Sequence, residues 1–401
     1  MAEKYNFGAW VYFPMSDENY TVKEVDRWHE CGFNVMMAGV TNINDEKQVK
    51  KTFEFLDRAQ ELGMKLILDC EEGTYWGCTA DRAEGEEKKF RRVYEVFKGH
   101  PALFGFHAGD EPSDEGDLDN AIRAVGIQKK VAPELTPYLN LMGGGTYPKS
   151  KEKLVAWMKR YKEETGAKMV CFDLYSQMIN DAGFTMYIKA VKHMVEAAEE
   201  VGLEPWLTPL SSAHHVYGPS TEFSYMMQIT TAAAMGVKGL TWFRLYDRKL
   251  ASNYHDSPID EYGEKTPGFY WLMLSQRRFM DQFGELFPRF KRKKTWLHGF
   301  HRFAYPIFGS NSHEIIKKLV TFEDCMISTF DCDDGYEYFC IVNLEKEIIN
   351  SIGIEYDHEK ADIKEVLLNG EIIRPFAAAN IESAQIMLYP GQMAMFRIDR
   401  K

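Results

Sequence analysis

The chain has 401 residues, of which 45% are hydrophobic and 27% charged, enough apolar material for a large folded core and too much for a disordered chain. Its 60 acidic residues outnumber 48 basic ones, giving a net charge of −12 and arguing against a nucleic-acid partner, which needs a basic face to release counterions. No stretch approaches the ~18 consecutive apolar residues of a spanning helix, so no membrane partner is expected.

The opening MAEKYNFGAW lacks the apolar core of a secretory leader, and a cytoplasmic location is expected, or a secreted one had a leader been removed. The seven cysteines are dispersed and contain no CxxC pair, which fits neither a disulfide framework nor a zinc knuckle. In chain order, charged segments of helical period end in glycine and run directly into short apolar strands. Gly32, Gly63, Gly166, Gly202 and Gly236 stand at these junctions, where a left-handed residue closes a helix. The pattern predicts strands near 7–13, 34–40, 65–70, 102–108, 137–142, 168–174, 204–210 and 238–245. Helices are predicted near 22–31, 46–62, 86–98, 115–132, 150–165, 185–201, 221–235 and 268–285.

This alternation is the count of a (β/α)8 TIM barrel within the α/β class. The competing doubly wound sheet would carry a glycine-rich turn after its first strand, and FPMSDENYT has no such glycines. The barrel is expected to span 1–290 as the catalytic domain. After it, RFKRKKTWLHG reads as a basic connector, and 291–401 as a small all-β sandwich of supporting role.

Barrel chemistry gathers at the carboxyl ends of the strands. There the sequence places Trp10 and Tyr12 (first strand), Asp69, Glu71 and Glu72 (third), His107, Asp110 and Glu111 (fourth), Asn140 (fifth) and Asp173 and Tyr175 (sixth). Ser211, His214 and His215 follow the seventh strand, and Trp242, Arg244 and Asp247 the eighth. Aromatic faces that stack on a pyranose, beside carboxylates and amides that take its hydroxyls, point to a carbohydrate substrate. No lysine ends a strand, so a Schiff-base nucleophile is missing. No cofactor is implied.

The most informative segment is HPALFGFHAGDEPS, residues 100–113. Proline restricts the residue before it to extended backbone, which is expected to aim Glu111 at the mouth. Asp110 beside it raises the cost of ionising both acids, and a carboxyl still protonated near neutrality can serve a glycosidic oxygen.

Asp110-Glu111-Pro112 at a fourth barrel strand, with the β-rich tail, resembles the clan A glycoside hydrolases. The resemblance implies a glycosidase (an O-glycosyl hydrolase of carbohydrate metabolism) with Glu111 as acid/base. That clan carries a second glutamate at the end of strand 7, and here the strand reads EPWLTPLSSAHH with no acid at its end. Asp173 is the first candidate for the second carboxylate and Glu222 the alternative. A carboxyl separation of ~5–5.5 Å would imply retention, and ~6.5–9.5 Å inversion.

Trp10, Trp242, Glu71, His107, Asn140, Tyr175, His214 and Arg244 are expected to contact substrate, with Arg244 also a possible partner of Asp173. Asp110 either binds substrate or orients Glu111. Two other readings stand beside hydrolysis: a carbohydrate-binding barrel without catalysis, and a metal-dependent hydrolase built on His214, His215, His107 and Asp173.

Overall fold

The computed structural model describes residues 4–143, 150–177, 182–247, 254–299, 304–375, 378, 380 and 382–401. Among these, eight parallel strands form a barrel: β1 (Asn6–Ala9), β2 (Val35–Val40), β3 (Lys65–Asp69), β4 (Leu103–Asp110), β5 (Tyr138–Met142), β6 (Met169–Asp173), β7 (Glu204–Thr208) and β8 (Gly239–Trp242). Each strand pairs with its predecessor from β3 to β8, and β8 pairs with β1.

The last seam, between β1 and β2, is closed by Asn34. Its backbone N–H donates to Phe7 O at 2.9 Å, and its side-chain Oδ1 accepts from Phe7 N at 2.8 Å. Above it Pro14 and Val40 form a parallel bridge. A Cβ at Gly8 would lie 2.0 Å from Val35 O, so the two strands approach this closely only because residue 8 has no side chain.

Eight helices follow the strands: α1 (Lys23–Cys31), α2 (Glu46–Glu61), α3 (Ala83–Phe97), α4 (Glu115–Val131), α5 (Lys151–Thr165), α6 (Ala182–Val201), α7 (Glu222–Ala234) and α8 (Pro267–Phe283). Their ends have local causes. Asp45 caps α2 by accepting from Lys47 N and Gln48 N, while Gly32 (φ 95°) closes α1 in the left-handed conformation. The outer helices bury an apolar stripe, as α3 does with Phe90, Val93 and Phe97 (Phe90 edge-on to Phe106 of β4 at 5.1 Å), whereas α7 is buried all round from Ser224 to Ala234. Burial of side chains this size stabilises by about 1.5–3 kcal/mol each. The barrel interior is filled by Trp10, Val35, Met37, Ile67, Tyr138, Met169, Cys171 and Trp206, so it is a packed core whose upper layer forms the floor of the mouth.

Beyond α8 lies a sandwich of two antiparallel sheets. One has six strands (Phe290–His298, Cys325–Cys332, Glu337–Asn343, Met393–Arg400, Ala361–Val366 and Ile372–Ile373). The other has three (Ile316–Val320, Asn350–Tyr356 and Ser383–Leu388). Trp296, Ile341, Ile354, Ile363 and Ile386 pack between them, with Phe339 stacked on Phe396 at 4.8 Å.

The segment read as a basic connector is the first strand of this sandwich. Lys291 and Lys294 point into solvent while Phe290, Trp296 and Leu297 are buried, and a bulge between Arg292 and Lys294 breaks the alternation that would have revealed it. The strands at 350–356 and 383–388 are only weakly marked in the sequence. Their period-2 signal rests on a few apolar residues, Ile352 and Ile354 in one and Ala384, Ile386 and Leu388 in the other.

Arg292 reaches back to the barrel, where Glu199 of α6 accepts from its Nε at 3.1 Å. No helix among the described residues is long and apolar enough to cross a membrane.

Candidate active site

The end of β4 is built around two exceptional backbone positions. Gly109 has φ 140°, and a Cβ there would stand 2.2 Å from the Tyr75 ring. That ring is thereby free to bring its hydroxyl to Asp110 O, to which it donates at 2.9 Å. Glu111 follows with φ 47°, left-handed and not extended as the proline rule had suggested. Such a conformation in a residue with a Cβ costs on the order of 1–3 kcal/mol and persists only where its surroundings impose it. Here the Tyr75–Asp110 bond on one side and the bond from Glu111 N to Asn140 O (2.9 Å) on the other hold the turn.

The turn delivers Glu111 to Asp173. β4 pairs with β5 at Asp110–Asn140, and β5 with β6 at Met142–Asp173, so the two acids meet across the end of β5. Their carboxyl groups are neighbours, close enough for Glu111 to act on Asp173 through its charge and a side-chain hydrogen bond. Asp173 is buried and its Oδ1 accepts from Gly143 N at 3.1 Å. Burial raises its carboxyl well above the usual aspartate range, and the charge of Glu111, then of Asp110, raises it further. Burial and the neighbouring acids thus favour the protonated form of Asp173.

A second chain of polar groups runs beside the pair. His107 Nδ1 lies 3.1 Å from Asp69 Oδ2. Burial disfavours the imidazolium, but the charge of Asp69 and its hydrogen bond outweigh burial, with Asp110 adding, and the histidine is raised. Asp110 is raised by burial, against the opposing effects of Asn140 and His107. Asn140 Nδ2 donates to Asp110 Oδ1 at 2.9 Å, and its Oδ1 accepts from Thr208 Oγ1 at 3.3 Å, which fixes the orientation of the amide. Asp110 is therefore held by Asn140 and Tyr75 next to the pair. Below, Thr208, Thr241 and the Tyr138 hydroxyl form a buried network with contacts of 2.7–3.3 Å.

The other sequence-predicted residues divide. Tyr175 lies at the wall, stacked against Phe243 at 5.9 Å and edge-on to Tyr217 at 5.1 Å, and burial raises its hydroxyl well above the usual tyrosine range. His214 stacks between Tyr217 (5.3 Å) and Tyr254 (5.1 Å). Burial, then His215 and Arg244, push it down to about 4, so it is neutral at pH 7. Arg244 is buried, donates from Nε to Tyr246 O at 2.6 Å, and lies 4.9 Å from the Tyr254 ring and 5.5 Å from that of Tyr12. Trp10 is a floor residue, T-shaped to His107 with ring centroids 5.5 Å apart and stacked under Tyr12 at 6.0 Å. Glu71 is exposed on the loop after β3, with φ 62° and its N–H bonded to Asp69 Oδ1 at 3.1 Å.

Two expectations are corrected. Trp242 is not a sugar platform: it is fully buried outside the barrel wall, where its Nε1 donates to Gln276 of α8 at 3.2 Å and its ring packs on Tyr225 of α7. As the last residue of β8 its side chain alternates outward, away from the mouth. Glu222 is not at the mouth either. It opens α7 on the barrel exterior, 57% exposed and 3.7 Å from Arg278 of α8. The metal reading gains no support from the geometry: among the described residues no three His, Cys, Asp or Glu side chains are grouped to hold an ion, and the neighbours of His214 are aromatic rings.

Exposed aromatics at the mouth were under-read. Trp76, 55% exposed on the β3–α3 loop and 6.0 Å from His107, was not singled out at all, although a tryptophan among EEGTYWG has no helix or strand to bury it. Tyr12, 40% exposed, is the second.

A (β/α)8 barrel with a terminal β-sandwich and an acid pair at its mouth is thus the class that fold and site define. No family model matches the chain, and no curated protein matches it. Solved structures do share the fold. One titled a glycoside hydrolase aligns with TM-score 0.61 at 9% identity over 98% of this chain and 92% of its own. A glucosidase from Croceicoccus marinus aligns with TM-score 0.51 at 10% identity over 100% and 96%. A β-galactosidase from the psychrophilic Marinomonas ef1 aligns with TM-score 0.52 at 10% identity over 68% of this chain, which spans only 59% of that protein.

Proposed function

We propose that the protein is a glycosidase that hydrolyses O-glycosidic bonds of an oligo- or polysaccharide, using Glu111 and Asp173. The observation that carries this reading is the contact between these two acids at the ends of β4 and β6, with the protonated form of Asp173 favoured. Exposed Trp76 and Tyr12 at the same rim are faces on which a pyranose can stack, and the shared fold with structures titled as glycoside hydrolases is consistent with it.

In this mechanism a glycoside entering the mouth separates the pair. The proton passes from Asp173 to Glu111, and Glu111 gives it to the glycosidic oxygen as the C–O bond breaks. Asp173, now an anion, stabilises the oxocarbenium-like carbon, and water supplies the hydroxyl that C1 receives and the proton that restores the pair. Leaving-group dependence tests these roles. Glu111→Gln should lose about 10²–10⁴-fold on an unactivated glycoside but far less on a 2,4-dinitrophenyl glycoside, which departs without a proton. Asp173→Asn should lose activity on both. Equal losses by Glu111→Gln on the two substrates would remove Glu111 from the acid role.

A second reading, a sugar-binding barrel without hydrolysis, is favoured by the end of the seventh strand, where EPWLTPLSSAHH carries no acid. Binding of sugar without any release of reducing ends would select it.

A further inference from the structure

A groove of about 1110 Å³ lies between the barrel and the sandwich, apart from the acid pair. Its barrel rim is the reverse side of the candidate site's own wall. Tyr175 and Tyr217 pack edge-on at 5.1 Å, and burial raises both hydroxyls above the usual tyrosine range. The residues that follow them in sequence, Ser176 and Gln177 in one case and Gly218 in the other, line the groove, and Gly218 N donates to Gln177 O at 2.8 Å. One layer of residues therefore separates the two spaces.

The opposite rim comes from the sandwich and is fixed to the barrel. The turn Tyr389-Pro390-Gly391-Gln392 is pinned on α7, where Thr230 Oγ1 donates to Gly391 O at 2.8 Å. Gly391 has φ 72°, and a Cβ there would be 2.9 Å from Met227 N, so the turn seats directly on the helix backbone. The same turn is tied to its own domain by the bond from Gly391 N to Asn343 O at 3.1 Å. Tyr389 is thus an aromatic face, 56% exposed, whose position relative to the barrel is set before any ligand arrives.

The chemistry of the lining selects a ligand class. Three acids (Glu222, Glu345, Glu347) against two bases (Arg278, Lys346) disfavour a polyanion. Phe223 and Tyr389 offer ring faces, with Phe184, Met226, Met227 and Leu344 adding apolar surface beside serine, threonine and glutamine side chains. Hydroxyl-rich rings that are uncharged and apolar on one face match that mixture, and the volume exceeds what one sugar ring needs.

We propose that this interdomain groove is an accessory binding site for a neutral oligosaccharide, with Tyr389 as its stacking platform. The ligand class rests on the glycosidase reading, and the sandwich then takes part in substrate binding rather than in support alone.

The test separates binding from turnover. Glu111→Gln protein, with and without Tyr389→Ala, is titrated calorimetrically with cellohexaose, xylohexaose, mannohexaose and laminarihexaose. The expected result is binding of at least one hexaose, weakened tenfold or more by Tyr389→Ala and restored by Tyr389→Trp, with melting temperature unchanged. In protein with Glu111 intact, turnover of a nitrophenyl monoglycoside, too short to reach the groove, should stay within twofold on Tyr389→Ala. Equal hexaose affinity with and without Tyr389, or no binding of any of the four, overturns the proposal. If Tyr389→Ala abolishes binding while the intact protein releases no reducing ends, the groove stands and the glycosidase reading falls.

Discussion

Asp173, the last residue of β6, and Glu111, the residue after β4, meet across the end of β5, and burial favours the protonated form of Asp173. The consequence for stability has a definite sign. The folded-state carboxyl titrates above the ordinary 3.8, so between 3.8 and its raised value the folded chain binds more protons than the unfolded one. Stability from this group is complete below 3.8 and is lost as pH rises through the raised value. Asp173→Asn keeps an acceptor for Gly143 N and has nothing to ionise. Its melting temperature should exceed that of the parent at pH 8, and the difference should shrink toward pH 4. A variant less stable than the parent at pH 8 would show that the buried acid is not strained.

Gly109→Ala tests the turn that aims Glu111. The added methyl would sit 2.2 Å from the Tyr75 ring and displace the hydroxyl that bonds Asp110 O. Overpacking of this kind costs about 1–3 kcal/mol, and φ 140° adds to it for any residue with a Cβ. A lower melting temperature is expected together with a fall in turnover larger than any change in KM, since the displaced group is the acid and not the sugar platform.

The two tryptophans at issue should respond oppositely. Trp242→Phe loses the bond to Gln276 and core volume, so chemical denaturation should show a stability loss of about 1–3 kcal/mol with KM little changed. Trp76→Ala, at an exposed site, should leave stability nearly intact and raise KM several-fold. A raised KM in Trp242→Phe at unchanged stability would return that residue to the site.

Much of the barrel was readable because two covered faces force apolar strands and one covered stripe forces helical period, so AQELGMKLILDC announces both its helix end and its strand. The candidate site was readable only in part. Strand-end position names Glu111, Asp173, Asn140 and His107, but the face of a strand residue is set by register, and with Thr241 in the interior network the adjacent Trp242 turns outward. The left-handed Glu111 was hidden for a different reason: its conformation is imposed by Tyr75 and Asn140, distant in sequence, against the local preference before a proline. In the sandwich, the long side chains of Lys291 and Lys294 disguised a strand as a linker.

The sandwich carries its own pH dependence. Glu337 is buried, which alone would raise it, but bonds from His313 (3.1 Å), Lys293 (2.8 Å) and Arg400 (2.9 Å) outweigh burial and hold it at about 2. A lowered folded-state value means stability that is complete above the ordinary 4.5 and is lost as pH falls toward about 2. Glu337→Gln should therefore be less stable than the parent at pH 7, by about 1–3 kcal/mol, and the difference should shrink as pH falls through about 2. Denaturant titrations at the two pH values check both halves.

The most direct measurement is reducing-end release from cellohexaose, xylohexaose, mannohexaose and laminarihexaose by the parent, Glu111→Gln and Asp173→Asn proteins side by side. The account requires that the parent cleave at least one of them and that each variant be slower by about 100-fold or more. A parent that cleaves none, or either variant keeping pace with it, would contradict the assignment of this acid pair to glycoside hydrolysis.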